Sequence, residues 1–173
     1  MTQKFLAIFL LAFGLFSAQQ DAYYQQYAKY KMNIDVDAAN FSYNGKQEIQ
    51  YTNNSPDELS VVYFHLYWNA FKPGSMMDQR VQNQGKNADG RLAENGVSRL
   101  STIPKNEEGS QKINWIKQNG KELKFEVQET IMKVYLNEKI KPNSTTTFTM
   151  DWDSVVPKQI RRSGRNNREG IDM

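Results

Sequence analysis

Tyr30-Lys31-Met32-Asn33-Ile34-Asp35-Val36-Asp37 alternates an apolar or aromatic side chain with a polar one at every step. Period two is the repeat of an extended chain, whose successive side chains point to opposite faces, so this stretch reads as a strand with one wet side. Asp37-Ala38-Ala39-Asn40 supplies turn residues, after which Phe41, Tyr43, Gln47, Ile49 and Tyr51 alternate with Ser42, Lys46, Glu48, Gln50 and Thr52. The pair predicts an antiparallel hairpin. Asn44-Gly45 has tight-turn chemistry of its own, but the alternation keeps phase across it, and a bulge or kink inside one strand is the competing reading.

Asn53-Asn54-Ser55-Pro56-Asp57 is a loop, and nearly every position from Leu59 to Trp68 is apolar or aromatic. Val62, Phe64, Leu66 and Trp68 share one face and Val61, Tyr63, His65 and Tyr67 the other, which predicts a strand covered on both sides. Further on, Ile113, Trp115 and Ile116 lead to Asn119-Gly120, a strong hairpin signal, and Leu123, Phe125 and Val127 return from it. Met132, Val134 and Leu136 continue the alternation, Lys141-Pro142-Asn143-Ser144 turns the chain, and Phe148, Met150 and Trp152 alternate with Thr147, Thr149, Asp151 and Asp153. Seven strand candidates without a helix longer than about two turns predict an all-β protein, an antiparallel sandwich or related open sheets, over residues 30–157. One long irregular insertion interrupts it at 69–111, rich in Gly and Pro, where only Met76, Met77 and Val81 hint at a helical turn. It reads as a mobile surface excursion, with a lid or partner contact as the alternative.

The chain has 173 residues, 39% hydrophobic and 24% charged, with nine Phe, nine Tyr and three Trp, enough to fill the core of one domain. No cysteine and a single histidine exclude disulfides, thiolate metal sites, a Cys nucleophile and any site needing two His ligands. A net charge of +3 gives no reason to expect nucleic-acid binding. Residues 1–18 read as a signal peptide: Lys4 precedes the unbroken apolar run Phe5 to Phe16, and the polar Gln19-Gln20-Asp21 follows. Twelve residues rise only ~18 Å as a helix, short of a ~30 Å hydrocarbon core, so export to the periplasm or beyond, with no transmembrane segment in the mature chain, is expected. Cleavage falls after Ala18, or after Ser17, since Phe16 is bulky for the third position back. A polar lead-in, 19–29, precedes the first strand, and a basic tail, 158–173, follows the last.

Chemistry-bearing constellations are few. His65 sits in the most apolar strand with no acidic neighbour in the sequence and reads as a core or half-buried histidine. Asp151 and Asp153 share a strand face, as a carboxylate pair does, but so do acidic residues on any wet face. Asn87-Ala88-Asp89-Gly90 matches half a calcium loop and lacks its closing Glu. Tyr23, Tyr24 and Tyr27 offer rings that stack on sugars, although strand aromatics usually fill cores. No HExxH, GxSxG, phosphate-binding loop or dinucleotide fingerprint occurs. No catalytic, cofactor-binding or metal residue is therefore assigned.

Four segments carry a resemblance: Tyr30 to Asp37; Gly45-Lys46-Gln47-Glu48-Ile49-Gln50-Tyr51-Thr52-Asn53-Asn54-Ser55-Pro56; Leu59 to Phe71; and Arg161-Arg162-Ser163-Gly164-Arg165. In this order they resemble the N-terminal domain of the aminopeptidase N-like zinc metallopeptidases, the gluzincins, especially large exported Bacteroidetes-type forms. The resemblance spans roughly Tyr27 to Met173. It implies a saddle-shaped, mostly β domain that packs on a thermolysin-like catalytic domain and walls one side of its active site. Zinc belongs to the parent family and none is expected in this chain, which lacks the family's HExxH, its downstream Glu and its Gly-rich amine clamp.

The resemblance thus implies a truncated gene, a gene-model fragment or a stand-alone remnant, itself non-catalytic, whose partner is a catalytic metallopeptidase domain. Arg161, Arg162, Arg165, Arg168, Ile171 and Met173 are the expected domain-contact segment. The alternative is an independent secreted β-sandwich module that binds glycans or a surface protein.

Overall fold

The computed structural model describes residues 23–158. The signal segment with its cleavage at Ala18 or Ser17, and Arg161, Arg162, Arg165, Arg168, Ile171 and Met173, lie outside the described residues.

The described residues form ten strands: β1 (Tyr27–Asp37), β2 (Ser42–Asn53), β3 (Leu59–His65), β4 (Ala93–Glu94), β5 (Val97–Ser98), β6 (Ser110–Gln118), β7 (Lys121–Glu122), β8 (Lys124–Gln128), β9 (Ile131–Ile140) and β10 (Ser144–Val155). All pairing is antiparallel. A five-stranded sheet runs β1-β2-β10-β6-β7, a three-stranded sheet runs β3-β9-β8, and β4-β5 is a separate ribbon. The two larger sheets are open and face each other, as the alternation predicts. Ile49, Ile116, Phe148, Met150 and Trp152 of the large sheet meet Leu66, Leu123, Met132, Val134 and Ile140 in one buried cluster. Phe148 sits at its centre, edge-on to Tyr51 at 6.4 Å and to Phe64 at 6.2 Å. Leu123 is the corner: its N–H bonds the Ile116 carbonyl at 2.9 Å as the chain leaves the large sheet for the small one.

Turn chemistry places the hairpins. Asn119 and Gly120 both take positive φ, 49° and 83°, the geometry that lets a two-residue turn follow the twist of its strands. Asn40 donates to both carboxylate oxygens of Asp37, through its backbone N–H at 3.0 Å and its amide at 2.6 Å, which closes the β1–β2 turn. Asn53, wholly buried at the end of β2, gives its amide to the carbonyls of Asp57, Ile140 and Lys141 and accepts from Ser55 and Gln26. One side chain thereby ties together the lead-in, the β2–β3 loop and the β9–β10 turn.

Asn44-Gly45 forms neither a turn nor a bulge. The register of β2 runs unbroken against β1 and β10, and Gly45 lies directly opposite Trp152. The irregularity falls in β6, where Asp151 pairs with Trp115 and Trp152 with Ile113, leaving Asn114 as the extra residue. That bulge puts Ile113 and Ile116, three apart, on one apolar face.

β3 is covered on one side, not two. Val62 and Phe64 turn toward the core, while Tyr63, His65 and Tyr67 are exposed, Tyr63 at 63%. His65 is likewise not a core histidine: its ring lies flat on Tyr67, centroids 5.1 Å apart and planes within 5°. β3 borders a three-stranded sheet whose outer face has no cover among the described residues.

The 69–111 insertion adds no strand to either large sheet before Ser110, yet it is ordered by its own contacts. It contains α1 (Met76–Gln84), several 3-10 turns and the β4-β5 ribbon. Val81, Leu92 and Ala93 form a satellite core with Phe71, Met77 and Ala88. Buried Asp78 holds it together, accepting from the Gly74 N–H and the Ser101 hydroxyl, both at 2.8 Å.

Candidate interaction surface

β1 is the edge strand of the large sheet, and its register with β2 sets Tyr30 beside Ile49, Met32 beside Gln47, Ile34 beside Gly45 and Val36 beside Tyr43. The β1 side chains in these pairs share the face that β2 and β10 bury. On β2 and β10 that face is closed by the small sheet: Ile49 is 2% exposed and Phe148 1%. On β1 it is open, with Tyr30 at 55%, Met32 and Ile34 at 47% and Val36 at 74%. Four large apolar residues in a row on one strand make a contiguous stripe, unlike the scattered exposed apolar residues of an ordinary surface. The Asp37–Asn40 turn closes the end of the stripe; Asn40's side-chain and backbone bonds keep the Asp37 carboxyl below its usual range.

The sequence shows that Tyr30, Met32, Ile34 and Val36 share a face but not that the covering sheet stops short of them. The available signal is that β1 comes first and carries Lys29, Lys31, Asp35 and Asp37 opposite, the dress of an edge strand.

The other chemistry-bearing side chains do not converge. Asp151 and Asp153 lie on the wet face, bridged by the Asn114 amide at 2.7 and 3.0 Å, with Lys46 3.9 Å from Asp151. The Asp89 carboxylate is taken by the Arg91 guanidinium at 2.8–2.9 Å. Tyr23 and Tyr24 are exposed, and so is Tyr27 on the opposite face of β1 from the stripe. A shallow open hollow of about 500 Å³ lies among Gly85, Lys86, Ala88, Gly90 and Gly96 and gathers no titratable cluster. The residues do not fit a zinc site: among the described residues no three His, Cys, Asp or Glu side chains converge, and His65 faces Tyr67. No described helix is long and apolar enough to cross a membrane.

No family model and no curated protein matches the sequence. Among solved structures, the fold is similar to part of a two-domain M1 zinc metallopeptidase mutant with bound L-tryptophan, at 10% identity and a TM-score of 0.49, over 85% of this chain and 26% of that one. It is similar also to an M1 zinc metallopeptidase mutant of Deinococcus radiodurans bound to a Tyr-Ser-Ala substrate, at 12% identity and 0.49, over 85% and 25%. The chain spans about a quarter of the length of these structures. A likeness at this level carries nothing about activity.

Proposed function

We propose that this chain is the non-catalytic β domain of an exported zinc aminopeptidase, with the open face of β1 lying on the catalytic domain and shaping the approach to its active site. Zinc and its ligands belong to that catalytic domain. Residues 1–18 are the export signal, and the basic segment from Arg161 to Met173 joins the same contact.

The observation that carries the reading is the stripe Tyr30, Met32, Ile34 and Val36. It continues the core face of the large sheet past the end of its cover, as an inter-domain face does; such faces bury on the order of 600–1,500 Å². The residues that carry the resemblance to the gluzincin N-terminal domain include this strand. Reading the gene beyond the codon for Met173 tests the proposal. An HExxH in frame, or after a single frameshift, supports it; a stop followed by an unrelated gene opposes it.

One observation favours the second reading, a secreted glycan- or protein-binding module. Tyr63, His65 and Tyr67 present an exposed aromatic surface, with the last two stacked, on the outer face of the small sheet. The same gene sequence separates the two.

A further inference from the structure

The outer edge of β1 has no partner among the described residues, and its eleven residues contain no Pro and no bulge against β2. Long unbroken edges of this kind are templates for another strand. Along the wet face the sequence reads Lys29, Lys31, Asn33, Asp35, Asp37 at alternate positions, so charge reverses about Asn33. Lys29, Lys31 and Asp35 are exposed, and none makes an ion pair within the described residues.

We propose that the edge of β1 pairs antiparallel with β1 of a second copy of this chain about a two-fold axis at Asn33. In that register residue numbers of facing residues sum to 66. Lys29 faces Asp37 and Lys31 faces Asp35, each twice, which makes four opposite-charge pairs. On the other face Tyr30 meets Val36 and Met32 meets Ile34, again twice each. Facing opposite charges and apolar pairs are the units that stabilise antiparallel strands, and facing like charges oppose it. Slipping the register by two residues leaves only Lys29 facing Asp35, or only Lys31 facing Asp37, and so halves the ion pairs. A parallel in-register pairing sets Lys against Lys and Asp against Asp. The charge pattern therefore selects one orientation and one register. The axis runs perpendicular to the sheet, so two five-stranded sheets become one ten-stranded sheet with both apolar stripes on the same side. The contact uses the strand's edge and leaves its apolar face open, so it stands or falls separately from the docking reading above.

A charge swap tests it in the full chain. Lys31→Asp sets two Asp pairs across the axis, Asp35→Lys sets two Lys pairs, and an equimolar mixture of the variants restores opposite charges in a heterodimer. Sedimentation velocity at about 50 µM and low salt should find the unsubstituted chain dimeric, each variant at least about tenfold weaker, and the mixture dimeric again. An unsubstituted chain that stays monomeric overturns the proposal. Variants that associate undiminished, as a face-to-face contact through the apolar stripes allows, also overturn it, and so does a mixture that stays monomeric.

Discussion

Gly45 is the floor on which Trp152 lies. A Cβ at residue 45 would sit 2.4 Å from the ring's Cζ2, 2.6 Å from Cη2 and 2.9 Å from Cε2. The two residues face each other directly across β2 and β10, and Trp152 is only 8% exposed, so the ring has nowhere to retreat. Glycine stands here for want of room, not for freedom of φ.

Gly45→Ala should therefore destabilise the fold by about 1–3 kcal/mol, the usual cost of forcing extra atoms into a packed core. Urea unfolding measures it. In a Trp152→Leu background, itself destabilised, the same substitution should cost much less, and that non-additivity is the signature of a direct clash.

Asn53 stabilises through its amide. Asn53→Ala takes away the amide donor of the buried Ile140 carbonyl bond and the acceptor of the buried Ser55 N–H, whereas the Lys141 and Asp57 carbonyls keep bonds from Ser144 and the Ser55 hydroxyl, so the cost is about 1–3 kcal/mol. Asn53→Asp should do no better at neutral pH, because it places a carboxylate oxygen against three carbonyls. Thermal melts of both variants check this.

Asp78 makes the insertion acid-sensitive. Burial pushes its carboxyl up, but hydrogen bonds from Ser98, Gly74, Gln82 and Ser101 more than offset this and leave it below its usual range. A folded-state value below the ~3.9 of an unfolded Asp means the stabilisation is complete above that range and fades as pH falls through the folded value. Amide exchange in 72–103 should rise in acid, and Asp78→Asn should lose most of that pH dependence while being less stable at pH 7.

The proposed export would leave a covalent trace. Intact-mass analysis of the exported fraction should find a chain beginning at Gln19 or Ala18. Soluble exported protein that retains Met1 to Ser17 would contradict the proposed signal.

The legible part of this fold is the part with a local cause. Period-two runs and turn pairs such as Asn119-Gly120 carry their reason in neighbouring residues. What the sequence hides depends on residues far along the chain. Gly45 takes its meaning from Trp152, and the three-residue gap between Ile113 and Ile116 becomes regular only with a bulge at Asn114. Coverage is the least legible property of all. The β3 run looks two-sided, yet Tyr63 and His65 face outward; β1 looks one-sided, yet both its faces are open. The small core under α1 escaped because Val81, Leu92 and Ala93 straddle a glycine-rich stretch with no continuous period.

Ile34 is the middle of the apolar stripe of β1, the proposed docking face. Calorimetric titration of the proposed partner, an aminopeptidase-type catalytic domain, into the full chain, and into Ile34→Lys, is the test. At 47% exposure opposite Gly45, Ile34 tolerates Lys with a change within about 0.5 kcal/mol, so circular dichroism and melting should match the unsubstituted chain. The unsubstituted chain should bind, and Ile34→Lys should bind about tenfold or more weakly. No binding by the unsubstituted chain, or equal binding by both, would contradict the proposed docking.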